Sequence, residues 1–79
     1  MKNVEIITKE ECSHCDNAKA LMRSKKIEYT EYYLGLDYTR EQILETYPSQ
    51  KTLPIILIDN ELIGGYNDLV EYLREKKKL

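Results

Sequence analysis

The sequence predicts an α/β domain whose elements run β-α-β-α-β-β-α. Three observations carry that expectation: apolar side chains of both parities in Asn3–Thr8, apolar residues at helical spacing from Ser13 to Lys26, and a β-favouring stretch at Tyr29–Leu34. A strand, a helix and a second strand in direct succession read as a βαβ unit with parallel strands.

In the first strand Val4 and Ile6 point to one side and Ile7 to the other, which suits a central strand buried on both faces. In the helix that follows, Cys15, Ala18, Leu21 and Met22 form one stripe, while Asp16, Lys19, Arg23 and Lys26 face elsewhere. Ser13 is placed to cap this helix and Asp16 sits in its first turn, both marks of an N-terminus. Cys12 therefore stands at the helix mouth. Thr39 followed by Gln42 reads as a capping box that opens a short helix through Ile43, Leu44 and Tyr47, which Pro48 ends. This helix is expected to cover the opposite face of the sheet.

Pro54 opens the run Ile55, Ile56, Leu57, Ile58, where its missing N–H does least harm. Asp59-Asn60 then makes a turn into a short strand at Leu62-Ile63. After Gly64-Gly65 a last helix is expected to begin near Asn67 or Asp68 and to bury Leu69, Val70, Tyr72 and Leu73.

Seventy-nine residues, with no repeat, linker or low-complexity tract, are expected to form one domain over residues 1–79. Twelve basic and fourteen acidic side chains give a formal charge of −2, and positive charge gathers only at Lys76, Lys77 and Lys78. Nucleic acid is thereby excluded as an expected partner. The three lysines suit the end of a helix, where cations meet the negative pole of the macrodipole. Pro54 to Ile58, the longest apolar run, is far short of a membrane span, and the N-terminus lacks the layout of a signal peptide. A cytoplasmic chain with no membrane partner is expected. Seven tyrosines and no Phe or Trp point to rings at core edges with their hydroxyls reaching water.

Cys12 and Cys15, the only cysteines, are too close in sequence to staple a long loop. Their chemistry matters more than their cross-link. At the start of a helix, a thiolate is stabilised by amides that have no partner within the helix. Cys12 is then the attacking thiol, and Cys15, one turn inside, the resolving thiol that strikes the mixed disulfide. Zinc binding is the competing reading, but one Cys-x-x-Cys is half a site. With His14 the sole histidine and no third cysteine, only carboxylates remain to close it, so redox chemistry is favoured and no metal is expected. Lys9 lowers the Cys12 pKa by charge, while Glu10 and Glu11 act against it. His14 reads as an exposed loop position, with added positive charge beside the sulfur as the lesser alternative.

Three motifs resemble the glutaredoxins over nearly the whole chain: Lys9 through Cys15 (KEECSHC), Thr52-Leu53-Pro54, and Ile63 through Leu69 (IGGYNDL). The run Cys15-Asp16-Asn17-Ala18-Lys19 further resembles the short phage-type members. The resemblance implies a thioredoxin-like fold, with a four-stranded mixed sheet flanked by three helices and a cis peptide at Leu53-Pro54. It implies a thiol-disulfide oxidoreductase with glutathione as co-substrate and no tightly bound cofactor. Implied partners are disulfide-containing or glutathionylated proteins, ribonucleotide reductase among them, met by a monomer.

By the same resemblance, the Leu53 backbone beside Pro54 pairs with the cysteinyl unit of glutathione like an added strand. Gly65, Asn67 and Asp68 receive the γ-glutamyl end, and Lys9 with Gln50 or Lys51 meets the glycyl carboxylate. Plainer roles stay open for these residues: Gly64-Gly65 as a tight turn, Asn67 or Asp68 as a cap, Pro54 as the start of a strand. Ser13 replaces the proline common between the family's cysteines, His14 a tyrosine, and Asn67 an acidic residue. Glu10 and Glu11 work against an anionic tripeptide. Two other functions remain in view: a redoxin reduced by thioredoxin reductase, and a carrier in which two chains share a [2Fe–2S] cluster with glutathione.

Overall fold

The computed structural model describes residues 3–77. Its elements are β1 (Val4–Thr8), α1 (Ser13–Ser24), β2 (Thr30–Tyr33), α2 (Arg40–Thr46), β3 (Ile55–Ile58), β4 (Glu61–Gly64) and α3 (Tyr66–Lys77). The sheet order is β2-β1-β3-β4. β1 runs parallel to β2 and antiparallel to β3, and β3 and β4 form the antiparallel hairpin. The sheet is thus mixed, with β1 and β3 central, as the apolar residues of both parities in β1 require.

Period-two alternation divides the core between the two faces of the sheet. Val4, Ile6, Ile56 and Ile58 meet Ala18 and Met22 of α1 and Leu69 and Leu73 of α3. On the other face Ile7 and Ile55 meet Ile43 of α2. Each fully buried aliphatic side chain contributes about 1.5–3 kcal/mol from desolvation. All seven tyrosines are half-buried, in keeping with rings that close core edges.

Element ends follow local chemistry. At the start of α2, Gln42 N–H donates to Thr39 Oγ1 (3.1 Å) and Thr39 N–H donates to Gln42 Oε1 (2.8 Å), which completes the capping box. Asp59 and Asn60 both take positive φ, 51° and 69°, the conformation of a two-residue hairpin turn whose twist matches that of the strands.

Three boundaries depart from the sequence reading. Cys12, not Ser13, is the N-cap of α1: its backbone is extended and its sulfur accepts the Cys15 N–H, so Ser13 becomes the first helical residue. The helix stops at Ser24, because Lys26 adopts the left-handed φ of 59° and the N–H groups of Lys26 and Ile27 close onto the Arg23 and Met22 carbonyls, which caps the end. α3 begins at Tyr66, where Asp68 in the first turn reaches back to accept the Gly65 N–H at 2.9 Å. Gly64 makes this reach possible: at φ +124° it has no Cβ, and one there would strike the Asp68 carboxylate. Lys78 and the side chains of Lys76 and Lys77 lie outside the described residues.

Candidate active site

β1 delivers the chain to the cysteines, and Glu11, at φ 52°, turns it sharply into α1. Cys12 and Cys15 form a disulfide with a Cα–Cα distance of 5.2 Å, inside the window of about 4.4–6.8 Å that such a bond spans. The pair is unequal. Cys12 keeps 8% of its surface exposed and Cys15 only 1%, so Cys12 is the more accessible of the two. The Cys15 N–H lies 3.1 Å from Cys12 Sγ, and the Leu53 carbonyl lies 3.7 Å from the same sulfur. The Cys15 amide and the positive pole of α1 are thus placed where they favour negative charge on the Cys12 sulfur.

The helix that carries the pair is tied to the sheet by a polar chain. Thr8, almost fully buried at the end of β1, donates its hydroxyl to Glu31 Oε2 of β2 at 2.5 Å, and Lys19 Nζ of α1 binds the same oxygen at 3.0 Å. The Thr8 hydroxyl does most to hold the Glu31 carboxyl below its ordinary value of 4.5; partial burial opposes this, and Lys19 adds to it. Residues of β1, α1 and β2 thus converge on one carboxylate.

Beside the loop lies a cleft of about 120 Å³. Leu34, Ile43 and Leu53 form its apolar floor, while Lys9, Arg40, Gln50 and Lys51 supply its polar lining, with no acidic side chain among them. The structure therefore brings together Lys9, Gln50, Lys51 and Leu53 from the sequence-derived set. It adds Arg40, which sequence reasoning missed: an arginine in the first turn of a helix carries no local mark of facing a cleft. An arrangement of three cations over an apolar floor suits an anionic ligand.

The remaining candidates, Pro54, Gly65, Asn67 and Asp68, do not line this cleft, and the Leu53-Pro54 peptide is cis. Pro54 is buried, and its carbonyl lies 3.6 Å from the position a Gly65 Cβ would take. Asn67 and Asp68 are exposed at the start of α3, with Asp68 bound to the Gly65 N–H. A carboxylate has capacity for further donors, so capping and ligand contact are compatible at Asp68. The His14 ring lies 6.4 Å from that of Tyr66, centroid to centroid, at an interplanar angle of 35°. Among the described residues, no cluster of three or more His, Cys, Asp or Glu side chains is arranged to hold a metal ion. No helix among them is long and apolar enough to cross a membrane.

Comparison with known proteins agrees with this geometry. The glutaredoxin family model matches residues 4–63. Glutaredoxin 3 of Escherichia coli strain K12 is 39% identical over 69 residues, covering 87% of this chain and 83% of the relative. The solution structure of a glutaredoxin from Brucella melitensis superposes with a TM-score of 0.78 at 33% identity, covering 98% of this chain and 84% of the other. A buckwheat glutaredoxin crystallised as its glutathione complex superposes with a TM-score of 0.77 at 24% identity, over 94% of this chain and 70% of the other.

Proposed function

The chain belongs to the glutaredoxin family of thiol-disulfide oxidoreductases, and from that premise we propose that glutathione supplies its electrons. The observation that carries this reading is the position of the Cys12 sulfur. It lies at the open end of α1, beside the Leu53 backbone and next to a cleft lined by cations.

In the proposed cycle the Cys12 thiolate attacks a glutathionylated protein or a protein disulfide, and the substrate leaves with one thiol restored. Cys15 or a free glutathione then displaces the second group from Cys12. Where Cys15 displaces it, two glutathiones reduce the resulting Cys12–Cys15 disulfide and depart as glutathione disulfide; where free glutathione displaces a glutathione from Cys12, glutathione disulfide leaves directly, and two electrons and two protons balance by either route. The tripeptide lies along the Leu53 backbone. Its glycyl carboxylate meets Lys9, Arg40 and Gln50 or Lys51, and its γ-glutamyl end meets Gly65, Asn67 and Asp68 at the positive end of α3. That a buckwheat glutaredoxin of the same fold forms a glutathione complex supports the choice of ligand. The chain is read as one domain acting as a cytoplasmic monomer, with ribonucleotide reductase among its clients.

Reduction of a small mixed disulfide, followed through NADPH consumption, tests the electron source. Turnover is expected when glutathione and glutathione reductase are supplied. Turnover with thioredoxin reductase alone would overturn the proposal.

A further inference from the structure

Three of the seven tyrosines, Tyr32, Tyr38 and Tyr47, pack on the α2 face of the sheet around Ile7, Ile43 and Ile55. Glu5 lies on that face too. It shares the parity of Ile7 in β1, a central strand, and pairs with Thr30 of β2 on one side and Leu57 of β3 on the other. α2 is only seven residues long and buries Ile43 alone, and Glu5 and the three rings stay partly exposed. Packing does not explain a glutamate here, because the residue is depleted from strands and its charge resists burial.

The Tyr32 and Tyr38 rings stand edge to face, with centroids 5.6 Å apart and an interplanar angle of 69°, and so form two walls of a corner. The Glu5 carboxylate accepts from Asn3 Nδ2 at 3.2 Å and from the Tyr32 hydroxyl. Its charge does most to push that hydroxyl above its ordinary value of 10.0, ahead of burial. The Tyr47 hydroxyl, raised chiefly by burial, feels Tyr38 and Glu5 as well. Among the described residues, every group whose charge acts on these two hydroxyls is an acid, Asp37 included, and Glu5 makes no ion pair.

We propose that Glu5, Tyr32, Tyr38 and Tyr47 form a seat for an arginine side chain of a protein partner. A planar guanidinium offers a fork of N–H donors to a carboxylate and lies flat on an aromatic face, so one group answers both halves of the seat. Lysine brings the charge without the fork. The cleft beside the redox pair repels the same side chain, because Lys9, Arg40 and Lys51 line it, so the two sites take opposite charges. Leu34, Ile43 and Leu53 of the cleft belong to the same cluster as the three tyrosines, which puts both sites on one face of the sheet and opens them to one partner. The seat does not depend on where Cys12 draws its electrons.

The probe is the blocked tripeptide acetyl-glycyl-arginyl-glycine amide, added to the oxidised chain and followed by NMR of the tyrosine rings. The resonances of Tyr32, Tyr38 and Tyr47 are expected to shift along one saturable curve, while those of Tyr29, Tyr66 and Tyr72, on the opposite face, stay in place. Citrulline in place of arginine keeps the shape and removes the charge. It should weaken binding about three- to tenfold, as the loss of one ion pair in a solvated site predicts. Glu5→Gln should weaken binding of the arginine peptide by a similar factor, with amide dispersion checking that the variant is folded. Equal affinity for the two peptides, or undiminished affinity in folded Glu5→Gln, would overturn the seat. So would shifts confined to other tyrosines. Self-association of the parent that Glu5→Gln dissolves, with no response to the peptide, would give the face to a second copy of the chain and overturn it equally.

Discussion

Individual residues in this site act through their neighbours more than through their own exposure. Thr8 is buried and yet polar, and its hydroxyl is satisfied by Glu31, which also holds Lys19. A carboxyl with a depressed folded pKa adds stability above its unfolded value and loses it as pH falls through the folded value. For Glu31 the contribution is therefore present at neutral pH and fades below about 4.5. Thr8→Val removes the largest cause of that depression. The variant should unfold at lower urea concentration than the parent at pH 7, and the gap should narrow as pH falls below about 4.5, measured by urea unfolding across a pH series. A constant gap at every pH would assign the loss to packing alone. The identity of the outer thiol was legible in the sequence, since Cys12 precedes a helix and Cys15 lies within it. Its role as the cap itself was not. Oxygen-bearing residues are the usual N-caps, so Ser13 took that place in the reading and the sulfur of Cys12 takes it in the fold.

At the scale of elements, most of the secondary structure follows from signals that are complete within a few residues. The Thr39–Gln42 capping box was readable because both of its partners are local, and the turn at Asp59-Asn60 because both residues tolerate positive φ. The ends of α1 and α3 were less so. Helical periodicity continues past Ser24 to Lys26, and only the closing hydrogen bonds of Lys26 and Ile27 and the left-handed Lys26 show where α1 stops. α2 is the slightest element, with Ile43 as its one buried residue on its face of the sheet. Ile43→Ala should lower stability by about 2–4 kcal/mol through lost burial and the cavity left behind. Because α2 walls the cleft, the same variant should also raise the KM for glutathione, a joint effect that chemical unfolding and steady-state kinetics would show together.

For the molecule as a whole, function depends on which ends of the strands meet. β1 and β2 run parallel, so Lys9 after β1 and Leu34 after β2 arrive at the same end of the sheet. The connection out of β2 brings Arg40 to that end, and the segment before Pro54 brings Gln50, Lys51 and Leu53. This convergence explains why Arg40 was invisible to sequence reasoning: its place in the cleft is fixed by long-range pairing and by no neighbour in the chain. The motifs that resemble glutaredoxins, by contrast, were legible because each is continuous in the chain, and the family they pointed to is the one the chain belongs to. The central claim is that Cys12 is a nucleophile held at the open end of α1 for exchange with glutathione. Its most direct test is intact-mass analysis of Cys15→Ser and Cys12→Ser after exposure to glutathione disulfide. Cys15→Ser should gain a single glutathione, mapped to Cys12 and removable by a dithiol, while Cys12→Ser gains none on the same timescale. Equal labelling of the two variants, or labelling of Cys15 alone, would contradict the account.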